Sequence, residues 1–302
     1  MDADRLRGFL VVARFGAISK AAERIGISQP ALSRQIQQLE HEVGAPLFER
    51  TGRGVRLTAA GERLASRARP LLRALTGLLD ELRAESGELS GTVALGLPPS
   101  FPPRLAADLL ERAKATHPGL RVRLTAALTG ALHSGLLDGT FDLAVVHAPV
   151  AGPHLETSPL WSERIVAIAP SSWRLPAALT LEAALSRPVL LPSPNQNLRQ
   201  IVAAAALSRN LELRVSVEID SLRFLVHGIQ AGLGLSFLPR RAVLAELAAG
   251  EVSAHALSDL HLERHALLAR VALANEGTLA LHGMLLSLAR EHHDAHRRDR
   301  NF

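Results

Sequence analysis

Apolar positions among the first 58 residues repeat at the spacing of short helices. The stripe that identifies the first helix consists of Leu6, Phe9, Leu10 and Ala13. A second helix is predicted from Ser19 to Ile25, because Gly26 ends its pattern. A third begins at Ser28, whose hydroxyl can cap the first turn, and its apolar residues follow at steps of four, three and four, at Leu32, Ile36, Leu39 and Val43. Two helices joined by a short glycine-containing turn predict a helix-turn-helix.

The opposite face of the third helix is polar. Its side chains are donors or acceptors long enough to reach base edges in a DNA major groove, namely Gln29, Ser33, Arg34, Gln37 and Gln38. A solvated face is the ordinary alternative for an isolated helix. The following segment favours DNA, because the turn at 51–54 lies between two apolar runs and presents Arg53, with Arg50 and Arg56 nearby. We therefore expect a basic wing beside the helix-turn-helix.

A single long helix is predicted from a cap at Thr58 to about Ser86, roughly 40 Å at 1.5 Å per residue. Its apolar residues alternate at steps of four and three, the spacing of a coiled coil, and they are Leu64, Ala68, Leu71, Leu75, Leu78 and Leu82. A helix packed on its own domain would also carry an apolar stripe. We favour dimerisation, because so long a helix between two domains buries its seam most simply on its own copy.

The chain after Gly91 alternates between buried-strand and helical patterns, which predicts an α/β fold. One βαβαβ unit is expected from strands at 92–97, 120–128 and 141–146 and helices at 103–116 and 130–137. A second is expected from strands at 189–191, 213–219 and 235–238 and helices at 198–208 and 222–231. The chain then returns to the first lobe through 265–272 and closes with a helix at 279–292. Two hinged lobes with a cleft result.

Ligands of parallel α/β sheets bind beyond the carboxyl ends of the strands, where helix N-termini present free N–H groups to anions. The candidates at these places are Pro99, Ser100, Phe101, Thr129, His147, Asn197, Arg199 and Ser221. As an alternative, the hydroxyl and amide residues among them are N-caps of the helices and do not contact a ligand, and His147 has a purely structural role. We expect a small organic anion, held by N–H groups and hydroxyls without a fixed countercharge.

Composition narrows the class of protein. The 302 residues suit two domains, and the absence of cysteine excludes disulfides and thiolate chemistry. The net charge of +5 comes almost entirely from arginine, which suits phosphate and carboxylate partners. The longest stretch without Asp, Glu, Lys or Arg, residues 224–239, is shorter than the roughly 18 residues of a membrane span, and the amino terminus lacks the order of a secretory signal. We expect a cytoplasmic protein without a membrane partner.

Enzyme motifs are missing from the sequence. Gly232 and Gly234 precede a strand and so cannot cradle a pyrophosphate, and neither a G-x-S-x-G elbow nor a phosphate-loop lysine is present. His292 and His296 stand four apart and would suit a metal pair, but Arg297 and the terminal position favour a solvated tail. We therefore expect no catalytic residue, no metal and no cofactor.

The stretch from Ser19 to Gly61, SKAAERIGISQPALSRQIQQLEHEVGAPLFERTGRGVRLTAAG, resembles the winged helix-turn-helix of the LysR-type transcriptional regulators almost position for position. The resemblance implies that the residues facing DNA are Gln29, Pro30, Ser33, Arg34 and Gln37. It further places Ser28 and Arg50 near phosphates and Arg53 in a flanking minor groove. Linker helices pair in this family, which supports a dimerisation role for Leu64, Leu71, Leu75, Leu78 and Leu82.

Looser motifs look like the effector-binding domain of the same family, namely GTVALG, DGTFDLAVVH, AGLGLSFLP and Glu263-Arg264. In the family, the positions that correspond to Ser100 and Thr129 commonly touch the effector. The resemblance implies a bacterial regulator, not an enzyme, that binds a double-stranded DNA operator and a small-molecule effector. It further implies a homodimer or homotetramer that contacts RNA polymerase.

The expected fold class is α/β with a winged helix-turn-helix head, a long linker helix and a two-lobed effector domain like that of periplasmic binding proteins. The expected boundaries are 1–58 for the head, 59–90 for the linker and 91–302 for the effector domain, with lobe I at 91–161 and 265–302 and lobe II at 162–264. Two rival classes differ in observable ways. A solute-binding protein for transport would have a secretory signal and no head, and an architectural DNA binder would not respond to metabolites.

Overall fold

The computed structural model describes residues 2–52, 54–83, 89–150, 152, 155–272 and 274–298, without the side chains of 70, 73, 74, 76–83 and 293–298. The N-terminal elements are α1 (Ala3–Phe15), α2 (Ile18–Ile25), α3 (Gln29–Val43), β1 (Phe48–Thr51), β2 (Gly54–Leu57) and α4 (Ala59–Arg83). Gly16, Gly26 and Gly44 end the first three helices in the left-handed conformation that favours glycine. The predicted helix-turn-helix and wing are confirmed.

The head is held together by an apolar core and by backbone contacts to the wing. Phe9, Leu32 and Leu39 are fully buried in that core. Glu40 of α3 accepts hydrogen bonds from the backbone N–H groups of Leu47 and Phe48, at 2.7 and 3.2 Å. The α3 helix and the start of the wing are therefore one unit.

A close backbone approach fixes the other end of the wing. Val55 donates its N–H to the carbonyl of Gly16 at 2.8 Å. A Cβ atom at Gly54 would lie 2.1 Å from that same carbonyl oxygen, and Gly54 has a φ of 149°. Only glycine fits there, which orients the wing against the turn between α1 and α2.

The long α4 begins at the predicted cap, where the Thr58 hydroxyl accepts from the N–H of Gly61 at 3.1 Å. Ala65, Ala68 and Leu72 are buried in the head's core, so the first turns of α4 belong to the head. Leu71 and Leu75 of the same helix are exposed instead.

The remaining chain folds into two α/β lobes. Lobe I contains β3 (Gly91–Leu97), α5 (Pro103–Thr116), β4 (Leu120–Ala126), α6 (Thr129–Leu137), β5 (Leu143–His147) and α11 (Glu276–Arg298). Lobe II contains β7 (Ala178–Leu179), α7 (Leu181–Leu185), β8 (Leu190–Leu191), α8 (Asn197–Leu207), β9 (Val217–Glu218), α9 (Leu222–Gln230), β10 (Ser236–Pro239), α10 (Leu244–Ala248) and β11 (Val252–Leu257). Both predicted βαβαβ units are present, although β8 and β9 are only two residues long each.

Two long antiparallel strands connect the lobes, β6 (Leu155–Pro170) and β12 (Leu262–Val271). The sheet order is β4-β3-β5-β12-β6-β11-β7, and β10 also pairs with β6. The first part of β6 lies beside β12, and its second part pairs with β10 and β11 of lobe II. Glu163 and Arg264 are opposite each other in the pairing of β6 with β12, where the two strands pass from one lobe to the other.

Several elements differ from the sequence predictions. The strand expected at 213–219 is reduced to β9, and the closing helix begins at Glu276 rather than at Leu279. The strands β6, β7 and β11 and the helices α7 and α10 were not predicted. Among the described residues, no helix combines the length and apolar character needed to cross a membrane.

Candidate functional site

A pocket of about 580 Å³, including its open mouth, lies between the two lobes. It is formed by the residues after β3, the end of β5 and the N-terminal turns of α6, α8 and α9. The predicted residues that line it are Pro99, Ser100, Thr129, His147, Asn197 and Ser221. Much of the remaining wall is apolar, with Leu128, Leu198, Ile219, Leu222, Leu225 and Leu238. The geometry suits a small molecule with a polar end and an apolar body.

The polar residues in the pocket differ in how they are already used. The hydroxyl of Ser221 caps α9 by accepting from the N–H of Phe224 at 3.4 Å. The side-chain amide of Asn197 donates to the carbonyl of Ala148 at 2.8 Å and so joins lobe II to lobe I. The Asn197 Oδ1 atom is buried and has no hydrogen-bond partner among the described residues. An unpaired buried acceptor is costly unless a ligand or water supplies a donor.

Phe101 and Arg199 do not line the pocket. Phe101 is buried in the core of lobe I, with its ring 5.7 Å from that of Trp161. Arg199 extends toward Glu218, with 3.7 Å between Nη1 and Oε1. It lies two residues after Asn197 on α8, so its side chain leaves a different face of the helix.

A buried charge network lies at the base of the pocket. The Glu163 side chain is 3% exposed and accepts from Arg264 Nη2 at 2.7 Å and from Trp161 Nε1 at 2.8 Å. Arg241 also forms an ion pair with it and stacks on Trp161, 4.4 Å from the ring centre. Arg264 lines the pocket and donates to Ser100 Oγ at 3.2 Å. A predicted effector residue is thus connected to the network.

The network carries two guanidinium groups for one carboxylate, so its net charge is positive. Burial lowers the pKa of Arg241 to about 10, although the Glu163 carboxylate opposes that shift. Burial also lowers the pKa of His147 well below its usual range, and Arg264 and Arg241 lower it further. At neutral pH, Arg241 is therefore charged and His147 is neutral.

The sequence predicts that hydroxyls and N–H groups hold the anion without a fixed countercharge. The absence of a countercharge is wrong for this pocket, because the guanidinium of Arg264 is part of its wall. Gln196 and Asp220 also line the pocket, each directly before a predicted site residue, Asn197 or Ser221. The Glu263-Arg264 motif pointed to this segment. It did not show that Arg264 faces Glu163, because that pairing depends on a strand, β6, that was not predicted.

The polar face of α3 is available for DNA. Gln29, Pro30, Arg34 and Gln37 are exposed, and Ser33 is partly buried. The Ser28 hydroxyl caps α3 by accepting from the N–H of Ala31 at 3.4 Å. A DNA-binding surface also needs positively charged side chains beside the polar helix that are free to contact phosphates.

The cations of the head differ in whether they are free. Arg34 and Arg50 are exposed, and neither forms a hydrogen bond or ion pair with another described residue. Arg56 is paired with Glu49, with 2.8 Å between Nε and Oε1. Arg53, which was predicted at the wing tip, lies outside the described residues.

The predicted dimerisation seam is divided between two environments. Leu64 packs against the head's own core. Leu71 and Leu75, which are neighbours on one helix stripe, are 52% and 40% exposed. The side chains of Leu78 and Leu82 lie outside the described residues.

Family models match both parts of the chain. Residues 3–62 match the model described as "Bacterial regulatory helix-turn-helix protein, lysR family". Residues 86–287, well over half of the chain, match "LysR substrate binding domain". The chain belongs to the LysR family. It is therefore a LysR-type transcriptional regulator with a DNA-binding head and an effector-binding domain, and not an enzyme.

Relatives and solved structures of the LysR family agree along most of the chain. The transcriptional regulator BbuR of Bordetella bronchiseptica is 32% identical over 261 residues, which are 86% of this chain and 80% of that protein. Full-length OxyR from Pseudomonas aeruginosa has a TM-score of 0.73 at 26% identity, covering 96% of this chain and 95% of that one. CbnR in complex with its target DNA has a TM-score of 0.61 at 21% identity, covering 96% and 99%.

Proposed function

We propose that this LysR-type regulator responds to a small organic anion bound in the pocket between the lobes. The bond between Arg264 and Ser100 carries the proposal, because it brings the positive charge of the buried network to the pocket wall. The free N–H groups in the first turns of α6 and α8 add partial positive charge at the same place. The apolar wall would hold the body of the molecule.

We also propose that α3 lies in the major groove of the operator. Its base-facing residues would be Gln29, Pro30, Ser33, Arg34 and Gln37, with Ser28 and Arg50 near phosphates and Arg53 in a minor groove. The free guanidiniums of Arg34 and Arg50 support this assignment. The proposed boundaries are 1–58 for the head, 59–90 for the linker and 91–302 for the two lobes, with lobe II at 162–264.

Two copies would pair through α4, since two half-sites require two coupled heads. The exposed Leu71 and Leu75 support this arrangement. Further pairing of dimers and contact with RNA polymerase complete the proposed function. Effector binding would shift the balance between arrangements of the heads, which requires different effector affinity in each arrangement.

A thermal-shift and calorimetry screen tests the anion proposal with small carboxylic acids and their primary amides, which are similar in shape but uncharged. We expect the acids to bind and stabilise the protein, and the amides to do so weakly or not at all. Ser100→Ala should weaken acid binding about tenfold, since hydrogen bonds to charged groups contribute about 1.5 to 3 kcal/mol. Ser186→Ala, an exposed serine in lobe II, is the matched control. Equal binding of acids and amides would contradict the proposal.

A further inference from the structure

We propose that the effector is a hydroxycarboxylic acid, with its carboxylate at Ser100 and Arg264 and its hydroxyl donating to Thr129 and Asn197. The inference rests on the proposed anion pocket and goes further, because it assigns a direction to each hydrogen bond in that pocket. The directions follow from which of the four side chains can donate and which can only accept.

The first step concerns the proton on His147. Its Nδ1 lies 3.0 Å from Thr129 Oγ1, and its Nε2 lies 4.0 Å from Glu163 Oε1. The ring is 2% exposed, and burial with two nearby guanidiniums keeps its pKa low, so it is neutral and has one N–H. At 4.0 Å these two atoms do not form a hydrogen bond, but an N–H that points toward a carboxylate is electrostatically favoured over a lone pair, which favours the tautomer with the proton on Nε2. The Nδ1 atom is therefore an acceptor.

The second step follows for Thr129. Because Nδ1 accepts, the Thr129 hydroxyl must donate to it, and only lone pairs of the Thr129 oxygen remain for a ligand. A carboxylate opposite that oxygen would have no proton to accept from it. Toward a ligand, Thr129 Oγ1 can therefore only accept a hydrogen bond.

Asn197 presents a second acceptor. Its Nδ2 donates to the carbonyl of Ala148 at 2.8 Å. A flipped side-chain amide would place Oδ1 against that carbonyl, which has no proton to donate, so the orientation of the amide is fixed. The Oδ1 atom is consequently fixed as the free end, and it has no partner among the described residues although Asn197 is only 8% exposed. Asn197 lines the pocket but this atom is itself inaccessible, so a donor on the ligand would satisfy it only with a small shift of the pocket wall.

Ser100 has the opposite preference. Arg264 Nη2 donates to its oxygen at 3.2 Å, and a guanidinium never accepts, so the Ser100 O–H is left to donate. Beside the positive charge of Arg264, that O–H suits a carboxylate oxygen. The pocket therefore has a donor end at Ser100 and an acceptor end at Thr129 and Asn197.

A hydroxyl suits the acceptor end better than an ammonium group. The Arg264 and Arg241 charges that disfavour a cation on His147 also disfavour a cation bonded to Thr129, whose hydroxyl is 3.0 Å from that ring. The Asp220 carboxylate, which also lines the pocket, is oriented toward the backbone N–H and the hydroxyl of Ser193, at 2.9 and 2.7 Å, although it keeps its negative charge. A neutral donor satisfies Thr129 and Asn197 without adding positive charge.

Calorimetry with two sets of matched acids tests the inference. Within each set the carbon skeleton is shared and one position carries hydrogen, hydroxyl, carbonyl oxygen or ammonium: phenylacetate, mandelate, phenylglyoxylate and phenylglycine, then propionate, lactate, pyruvate and alanine. We expect the hydroxy acid to bind roughly threefold to tenfold more tightly than the unsubstituted acid of its set. The oxo acid should bind more weakly than the hydroxy acid by at least that factor, because its carbonyl would face two acceptors.

Variants at Thr129 test whether its hydroxyl oxygen causes the preference for hydroxy acids. Thr129→Val should remove most of the advantage of the hydroxy acid while leaving the affinity for the unsubstituted acid within about twofold. Thr129→Ser keeps the hydroxyl and should keep the preference. Nitrogen-15 NMR of the histidine rings, assigned with His147→Gln, should show the proton of His147 on Nε2.

Failure of this inference is distinguishable from failure of the anion pocket. Unsubstituted, oxo or amino acids that bind as tightly as the hydroxy acids, or a proton on Nδ1 of His147, would overturn the hydroxy-acid assignment and leave the anion pocket standing. Absence of binding by every acid in both sets and in the wider screen of carboxylates would overturn both proposals.

Discussion

At Glu163, donors from three places in the chain meet one buried carboxylate: Trp161 on the same strand, Arg264 on the neighbouring strand and Arg241 after β10. A buried charge pair is a weak source of stability in itself, because desolvation offsets much of the attraction. Its removal is costly for a different reason, since the remaining guanidiniums keep their charge without compensation. The residue thus fixes the geometry of the pocket base more than it stabilises the fold.

Glu163→Gln should lower the free energy of unfolding by about 3 to 5 kcal/mol, the usual cost of breaking a buried ion pair by removing one partner. Chemical denaturation at neutral pH measures this. Glu263→Gln is the matched control, because Glu263 is the exposed acidic neighbour of Arg264. A loss in Glu163→Gln no larger than in the control would show that the two arginines do not depend on this carboxylate.

Arg34→Ala should weaken operator binding more than binding to random duplex, because a bidentate contact to a base contributes about 1 to 3 kcal/mol of discrimination. Equilibrium binding at several salt concentrations separates this from a phosphate contact, which would weaken both duplexes alike and reduce the salt slope by about one. Arg14→Ala, on α1, is the control, since this arginine lies over the ring of Phe15. Unchanged binding to both duplexes in Arg34→Ala would remove α3 from the DNA interface.

At the scale of elements, the local pattern of apolar residues was sufficient to predict a helix or strand where one face of that element is buried. The predicted helix at 103–116 is α5 without change, and the three strands of the first βαβαβ unit were placed within two residues at each end. The first half of β6 has no such pattern, because half-buried and exposed residues follow one another irregularly and Pro159 is among them. Glu163 and Arg264 are 101 residues apart, and only the register of β6 with β12 brings them together.

The exposed leucines of α4 provide a test at the same scale. Leu71→Asp combined with Leu75→Asp should convert the proposed dimer into a monomer, because two charges per chain would face their copies in an apolar seam. Sedimentation equilibrium measures the oligomer, and operator affinity should fall with it. Leu207→Asp, which changes a leucine that is 77% exposed on lobe II, is the control. An unchanged oligomer in the double variant would show that these leucines do not form the seam.

At the scale of the whole molecule, α6 touches both the pocket and the linker helix. Its first residue is Thr129, and its C-cap, Asp138, accepts from Arg69 of α4 through the backbone carbonyl at 3.3 Å and faces the same guanidinium through its carboxylate at 3.2 Å. A shift of α6 on effector binding would therefore change its contact with Arg69. The contact is partly exposed, so its effect on stability is small, and its importance lies in the connection it makes.

Arg69→Gln should reduce the effect of the effector on operator affinity, bringing the ratio of the two dissociation constants, with and without effector, toward one. Because coupling between two binding sites is reciprocal, the effect of operator DNA on effector affinity should fall by the same factor. Effector affinity without DNA should stay close to that of the wild type, since Arg69 is not among the residues that line the pocket. Arg67→Gln, an exposed arginine on the same helix, is the control. Full coupling in Arg69→Gln would show that the signal leaves the pocket by another route, for which the crossing strands β6 and β12 are the next structural candidates.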